Sequence, residues 1–99
     1  STSSAASDVY KRQVISNEPG FYKKGKFGIR IENMIYVKQI KSKVFFENLT
    51  MVPIDKELIN FNLLNRNEKN YLLNYNLRIY SNVEKYLNYK EKFWLLSQF

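Results

Sequence analysis

The sequence contains no cysteine and no histidine among its 99 residues. Without cysteine the chain can form no disulfide, no thiolate metal site and no cysteine nucleophile. Without histidine it lacks the commonest protein metal ligand and the usual general base. Any chemistry in this chain must therefore use carboxylate, lysine, arginine or tyrosine side chains, or borrow residues from elsewhere.

Long apolar runs are also absent: none approaches the roughly 18 residues that a membrane helix needs. Acids are few, with nine against 16 lysines and arginines, and aromatic residues make up 16% of the chain. Basic charge and aromatics together can serve nucleic-acid binding. The lysines are scattered, however, and asparagine, isoleucine, tyrosine and phenylalanine are enriched with them, as AT-rich coding DNA would produce. We therefore predict a soluble protein with no nucleic-acid and no membrane partner. The absence of cysteine fits a cytoplasmic location, which we also expect.

The first 13 residues differ from the rest. Ser3 to Gln13, SSAASDVYKRQ, match in one reading frame the translation of an adapter used in transposon-based sequencing libraries. We expect residues 1–13 to be disordered and to take no part in the fold. Residues 14–99 are enough for one small domain, which buries a lower fraction of its surface than a domain of typical size.

The first half of this remainder has the pattern of β-strands. A β-branched run at 14–17 leads to Pro19-Gly20, a turn signal, and KKGK at 23–26 marks an exposed loop. The segment GIRIENMIYV alternates polar and apolar residues, which predicts one half-buried strand over 28–37. A further strand is predicted over 45–52, ended by Pro53. Three consecutive short strands favour an antiparallel meander.

The second half has a helical period. Asn65 followed by Glu68 has the spacing of a capping box. Beyond it an apolar stripe recurs every three or four residues, which predicts an amphipathic helix over 66–87; its members are Leu72, Tyr75, Ile79, Val83 and Tyr86. The last segment, YKEKFWLLSQF, could add a helical turn or two that buries Phe93, Trp94 and Leu96.

Two acids in a basic chain, Glu18 and Glu32, flank the predicted turn and loop. On adjacent antiparallel strands and one face they would lie about 4.5–5.5 Å apart, where like charges repel. Such a pair needs a cation, either Arg30 on the same face or a divalent metal ion. Carboxylates suit hard ions such as Mn, Mg or Co, but an acid beside a turn and one on a strand are more often simply solvated.

The strings NEPGFY, GIRIEN and FENLTMVPID resemble the C-terminal part of aminopeptidase P, the Xaa-Pro aminopeptidase of the pita-bread metallopeptidase family, and the similarity continues through LLNRNEKNYLLNYN. The resemblance implies an α+β fragment of that fold, with antiparallel strands followed by a helical extension. Residues 14–54 would be the C-terminal part of the catalytic domain, and residues 55–99 the C-terminal extension.

The resemblance also implies roles for the two acids. Glu18 would bind one metal ion together with a histidine, and Glu32 would bridge two ions, most often manganese. The family's other three ligands lie upstream of its EPG motif and are not in this chain, so the fragment itself holds no complete catalytic site. The intact enzyme would remove the N-terminal residue from peptides with proline at the second position.

Neighbouring residues acquire supporting roles on the same basis. Arg30 could hydrogen-bond a ligating carboxylate, and Tyr22 could do so through its hydroxyl. Pro19 and Gly20 would turn the chain directly after a ligand, and Gly28 would permit close backbone approach. The alternative is that Arg30 is an exposed strand residue and Tyr22 a packing one.

In enzymes of this type the extension also takes part in dimerisation, which implies a homodimer here; Tyr71, Leu72, Tyr75 and Trp94 are the candidates for packing. The chain departs from the family in carrying Lys23 and Lys24 where many members have an acidic residue. Two alternatives remain open: a noncatalytic binding module with the same fold, or a basic nucleic-acid-binding domain that uses Lys23, Lys24 and Lys26. The second leaves Glu18 and Glu32 unexplained.

Overall fold

A computed structural model describes residues 12–99, and the chain divides into two compact units, residues 1–50 and 51–99. We predicted disorder for residues 1–13. Of these, Arg12 and Gln13 are among the described residues, and the others lie outside them. The Arg12 N–H donates to the carbonyl of Val37 (2.8 Å), and the Gln13 carbonyl accepts from the Val37 N–H (2.9 Å). These two residues thus prolong the strand pairing that begins at Val14.

The first unit contains five described strands in two antiparallel sheets: β1 (Val14–Asn17), β2 (Gly20–Lys23), β3 (Phe27–Arg30), β4 (Asn33–Ile40) and β5 (Lys43–Asn48). β4 lies between β1 and β5 in a three-stranded sheet, while β2 and β3 pair only with each other. The predicted antiparallel order of three strands is confirmed in β1-β4-β5. The prediction is wrong in omitting the β2–β3 hairpin, which is inserted between β1 and β4.

The single strand predicted over 28–37 is also wrong, because the chain changes partners at Ile31 and Glu32. Residues before this break pair with β2, and residues after it pair with β1 and β5. Across from the break lies Pro19, which has no N–H to donate to a ladder. Pro19 and Gly20 do not form the predicted turn either: Gly20 is the first residue of β2, and the chain reverses at residues 24–26.

The predicted half-burial of this region is not found, since every residue of β1, β2 and β3 is exposed. Ile29 and Ile31, expected on a buried face, are 41% and 48% exposed. Among the described residues of the first unit the buried one is Val37, in β4, the strand between β1 and β5. The hairpin that carries the two acids thus has both faces open in this chain.

The third predicted strand, over 45–52, is shifted: β5 spans Lys43–Asn48. Beyond the end of β5, hydrogen bonds that involve side chains replace the backbone ladder. The Thr50 hydroxyl accepts a hydrogen bond from the Met34 N–H (2.8 Å), and the Asn48 side-chain amide donates to the Thr50 carbonyl (2.6 Å). The strand therefore ends several residues before Pro53.

The second unit is helical. Its helices are α1 (Arg66–Val83) and α2 (Tyr89–Ser97), with 3-10 turns at Lys56–Leu58, Phe61–Leu63 and Glu84–Tyr86. Both α-helices begin with a complete capping box, Asn65 with Glu68 and Asn88 with Glu91. The predicted start of the first helix is confirmed, and its last predicted turn is tightened into 3-10 geometry.

The core of the second unit consists of Tyr75, Ile79 and Leu95, which are 7%, 1% and 5% exposed. The Tyr75 hydroxyl donates to the carbonyl of Val52 (2.7 Å) and fastens the irregular segment before the helices to α1. Tyr86, predicted to continue the stripe, is 76% exposed. The 3-10 turn changes the angular step per residue and so rotates Tyr86 off the buried face.

The prediction for α2 is wrong in phase. Phe93, Trp94 and Leu96 are 68%, 63% and 50% exposed, and Leu95 is the buried residue. One stripe of this short helix faces the core, and Leu95 occupies it, which leaves the side chains directly before and after it on other faces. In the part of the chain that the structure describes, no helix combines the length and apolar character needed to cross a membrane.

Candidate metal site

Glu18 and Glu32 lie opposite each other in one antiparallel register. In the β1–β4 ladder Asn17 pairs with Asn33, and in the β2–β3 ladder Gly20 pairs with Arg30. The residue numbers of each pair have the same sum in both ladders. Neither arm therefore carries an extra residue between the two ladders. The Ile31 N–H donates to the Pro19 carbonyl (3.0 Å) and keeps the arms paired across the break.

This register places both carboxylates on the same face of the hairpin. Directly opposed residues of antiparallel strands share a face, with Cβ atoms about 4.5–5.5 Å apart. Steps of two residues place Gly20 and Tyr22 on that face in one arm, and Arg30 and Gly28 in the other. The sequence prediction of a shared face for Glu18, Glu32 and Arg30 therefore agrees with the strand register.

Arg30 is the cation of this face. Its Nη2 donates to Glu32 Oε2 at 3.2 Å, with the two side chains 49% and 42% exposed. A hydrogen bond with Tyr22, and then the charges of Glu32 and Glu18, raise the pKa of Arg30 above its ordinary value. Because water screens so exposed a pair, it stabilises the fold only slightly. Its effect is to orient one of the two carboxylates.

Tyr22 reaches Arg30 by lying across two glycines. A Cβ at Gly28 would come within 2.7 Å of Tyr22 Cδ1, and one at Gly20 within 2.7 Å of the Tyr22 hydroxyl oxygen. Gly20 is the ladder partner of Arg30, and Gly28 is the partner of Tyr22 itself. The two glycines thus leave bare backbone on which the ring lies, a role that the sequence did not reveal.

The far end of the hairpin is a defined turn. The Lys26 N–H donates to the Lys23 carbonyl (2.9 Å), and Gly25 between them has a φ of +70°, which glycine adopts without strain. On the face opposite the acids, the rings of Phe21 and Phe27 lie 5.9 Å apart. The arms are therefore paired from the acids to the turn.

Two opposed carboxylates could form part of a metal site. Among residues 12–99 no group of three or more histidine, cysteine, aspartate or glutamate side chains could hold an ion. Opposed carboxylates suit hard divalent cations, which prefer oxygen ligands. The donor set therefore fits such an ion chemically, and any further ligands would have to come from outside the described residues.

Sequence reasoning missed a second polar network, on β4 and β5. Glu47 Oε2 accepts from the Tyr36 hydroxyl (2.9 Å) and from Lys38 Nζ (3.0 Å). Tyr36 and Glu47 are ladder partners, and Lys38 is two residues further along β4. The signal for this network is the β4–β5 register, which the shifted prediction of the third strand concealed.

Comparisons with known proteins identify the family of this chain. Residues 43–98 match the C-terminal region of peptidase_M24, and residues 4–39 match metallopeptidase family M24. The chain belongs to metallopeptidase family M24.

Individual relatives carry more specific names. One, named "Probable Xaa-Pro aminopeptidase P", from Botryotinia fuckeliana, is 48% identical over 81 residues, which covers 74% of this chain and 12% of the relative. A protein of the same name from Pyrenophora teres f. teres is 40% identical over 83 residues, or 76% of this chain and 13% of the relative. The chain thus spans about an eighth of the length of these relatives.

A solved structure is similar as well. The crystal structure of X-prolyl aminopeptidase from Caenorhabditis elegans, described as a cytosolic enzyme with a di-nuclear active site, has a TM-score of 0.71 and 36% identity. The match covers 87% of this chain and 16% of that one. The predicted resemblance and the α+β pita-bread fold are confirmed. The predicted boundary between residues 54 and 55 stays a prediction; the division of the chain into two compact units falls between Thr50 and Met51.

Proposed function

We propose that this chain contributes two carboxylate ligands to the dinuclear metal site of an Xaa-Pro aminopeptidase. The observation that carries the proposal is the opposition of Glu18 and Glu32 on one face, with Arg30 bonded to Glu32, in a chain of family M24. A nucleic-acid-binding domain would have no use for two opposed acids. Retention of both acids also weighs against a noncatalytic binding module.

Each residue of the acid face has a part in this function. Glu18 would bind one ion and Glu32 would bridge two, and both must be ionised to do so. Bound ions would supply a water of lowered pKa and stabilise the oxyanion that develops on the scissile carbonyl. Arg30 would fix the orientation of the Glu32 carboxylate, and Tyr22 would hold Arg30 in place.

The proposal extends to the parent protein as follows. The ions are manganese, and the substrates are peptides with proline at the second position. The enzyme is cytoplasmic and dimerises through residues 55–99, in which Tyr71 and Trp94 are 66% and 63% exposed and available to a second subunit. The 99-residue chain alone is inactive, because two ligands cannot hold two ions.

The test uses the full-length protein that contains this segment, with Glu18→Ala, Glu32→Ala and, as a control, Glu57→Ala in an exposed 3-10 turn. Hydrolysis of a short Xaa-Pro peptide and bound manganese are both measured. We expect Glu32→Ala to abolish turnover and lower the bound metal, because it removes the bridging ligand, whereas Glu57→Ala retains both. Unchanged manganese-dependent turnover in Glu32→Ala would overturn the assignment.

A further inference from the structure

The turn of the β2–β3 hairpin carries concentrated positive charge. Lys23, Lys24 and Lys26 are all exposed, and no aspartate or glutamate occurs from Pro19 to Ile31. None of the three lysines forms an ion pair with a described acid. Exposed lysines often serve only solubility, so the argument depends on where this cluster stands relative to the acids.

The ladder fixes that separation. The acid pair lies five residues from Lys23 along one arm, and strands rise about 3.4 Å per residue, so the distance is about 17 Å. The β2–β3 ladder and the hydrogen bond from Ile31 to Pro19 pair the arms between the acids and the turn, and the turn is closed by the hydrogen bond from Lys26 to Lys23. Lys24 and Lys26 are therefore presented by a formed turn at a set distance from the proposed metal site. Lys23, which follows Tyr22 in β2, adds its charge from the face of Phe21, opposite the acids.

An aminopeptidase substrate extends in one direction only. One residue precedes the scissile bond, so all remaining length lies on the leaving-group side of the metal site. An extended peptide spans about 3.3–3.6 Å per residue, so a tail that follows the hairpin brings its fifth to seventh residues to the turn. Charges presented to a ligand in this way raise its local concentration and its association rate.

We propose that the cluster Lys23, Lys24 and Lys26 recognises acidic residues in the distal part of the substrate. This inference rests on the proposed aminopeptidase function. Peptides of about seven residues with a carboxylate-rich tail are then the favoured class. Glu18, Glu32 and the bound ions act on the first two residues of every substrate, whereas the lysines act only on substrates long enough to reach them.

The test compares two heptapeptides, Ala-Pro-Ala-Ala-Glu-Glu-Glu-amide and Ala-Pro-Ala-Ala-Gln-Gln-Gln-amide, and the short peptide Ala-Pro-Ala-amide, with the full-length enzyme. At about 20 mM salt we expect kcat/KM to be roughly three- to tenfold higher for the Glu tail than for the Gln tail. The ratio should approach one at about 0.5 M salt, where screening is strong.

Matched variants separate this recognition from net charge. The triple variant K23Q/K24Q/K26Q should lose the preference and keep its rate on Ala-Pro-Ala-amide. The variant K43Q/K69Q/K90Q removes the same charge from exposed lysines outside the hairpin and should keep the preference. Charge reversal in K24E/K26E should make the enzyme prefer a Lys-Lys-Lys tail instead. This variant tests the recognition of the tail by a new preference rather than by the loss of one.

Failures of the two proposals are distinguishable. No hydrolysis of Ala-Pro-Ala-amide by the unmodified enzyme would refute the aminopeptidase function itself. Hydrolysis of the short peptide with equal rates on the Glu and Gln tails, or a preference that survives both hairpin variants, would overturn the lysine assignment alone. Equal rates together with salt-sensitive RNA binding that depends on the three lysines would overturn it in favour of a nucleic-acid surface.

Discussion

Glu18 stands opposite Glu32 because the two ladders that flank them follow a single register. The three-stranded sheet positions one side of the pair and the two-stranded hairpin positions the other. Neither acid belongs to a strand, so each lies at a gap between paired segments. The backbone on both sides of each acid is therefore paired, while Glu18 and Glu32 themselves are exposed and lie outside the strands.

Arg30 and Tyr22 should act on the metal site as one unit. We expect Arg30→Lys and Tyr22→Phe each to weaken manganese binding to the full-length protein about tenfold, since such supporting partners tune affinity by that order. Lysine lacks the planar fork that can engage Tyr22 and Glu32 together. Titration calorimetry of both variants and their combination provides the measurement.

The double variant decides how the two residues are related. If Tyr22 acts through Arg30, the combined loss should be close to the larger single loss rather than the product of the two. Multiplicative losses would contradict the relationship. Arg66→Lys, at the start of α1, serves as the control and should leave the affinity unchanged.

Gly28 should tolerate alanine less well than Gly20. The added Cβ at Gly28 meets the inner part of the Tyr22 ring, whereas at Gly20 it meets the hydroxyl end, which can swing away. We expect Gly28→Ala to lower the free energy of unfolding by about 1 kcal/mol, the low end of the cost of overpacking, because the ring is exposed. Urea denaturation measures the difference.

Removal of the ring supplies the check on this explanation. In a Tyr22→Ala background, Gly28→Ala should cost little, because the clashing atom is gone. An equal cost in both backgrounds would show that the backbone of β3, rather than Tyr22, requires glycine at this position.

The capping boxes should contribute measurably to the helical unit. Asn65→Ala leaves the Glu68 N–H without its acceptor, which at present lies at 2.8 Å. The expected loss is about 1 kcal/mol in the free energy of unfolding. Asn65→Asp should keep most of the stability, and Asn70→Ala, inside the same helix, should be neutral or slightly stabilising. A loss in Asn70→Ala equal to that in Asn65→Ala would exclude capping as the cause.

Local signals predicted part of this molecule well. The capping spacing located the start of α1, and the alternation of residues 28–32 gave the shared face of Arg30 and Glu32. Errors arose where partner choice decides the outcome. Alternation of polar and apolar residues runs from Gly28 to Glu32 and stops at Asn33, where the pairing strand changes. The prediction of one strand up to residue 37 passed over this signal.

Burial was predicted least well, and for a related physical reason. A hydrophobic pattern indicates which face of a strand or helix favours burial. Whether that face is buried depends on another element that packs against it. The β2–β3 hairpin keeps its pattern with Phe21, Phe27 and Ile29 all more than 40% exposed. In α2 the choice of Leu95 over Phe93 and Trp94 was decided by the direction in which the helix meets the core.

The shared register also constrains how this segment can vary in length. Residues added at 24–26 would lengthen the turn and leave every pair below it intact. A single residue added or lost between Glu18 and Lys23, without a matching change on the other arm, would turn one carboxylate to the opposite face. The fourteen-residue interval between the glutamates therefore combines two arms and a turn, and it is the equal length of the two arms, not the interval itself, that keeps the pair together.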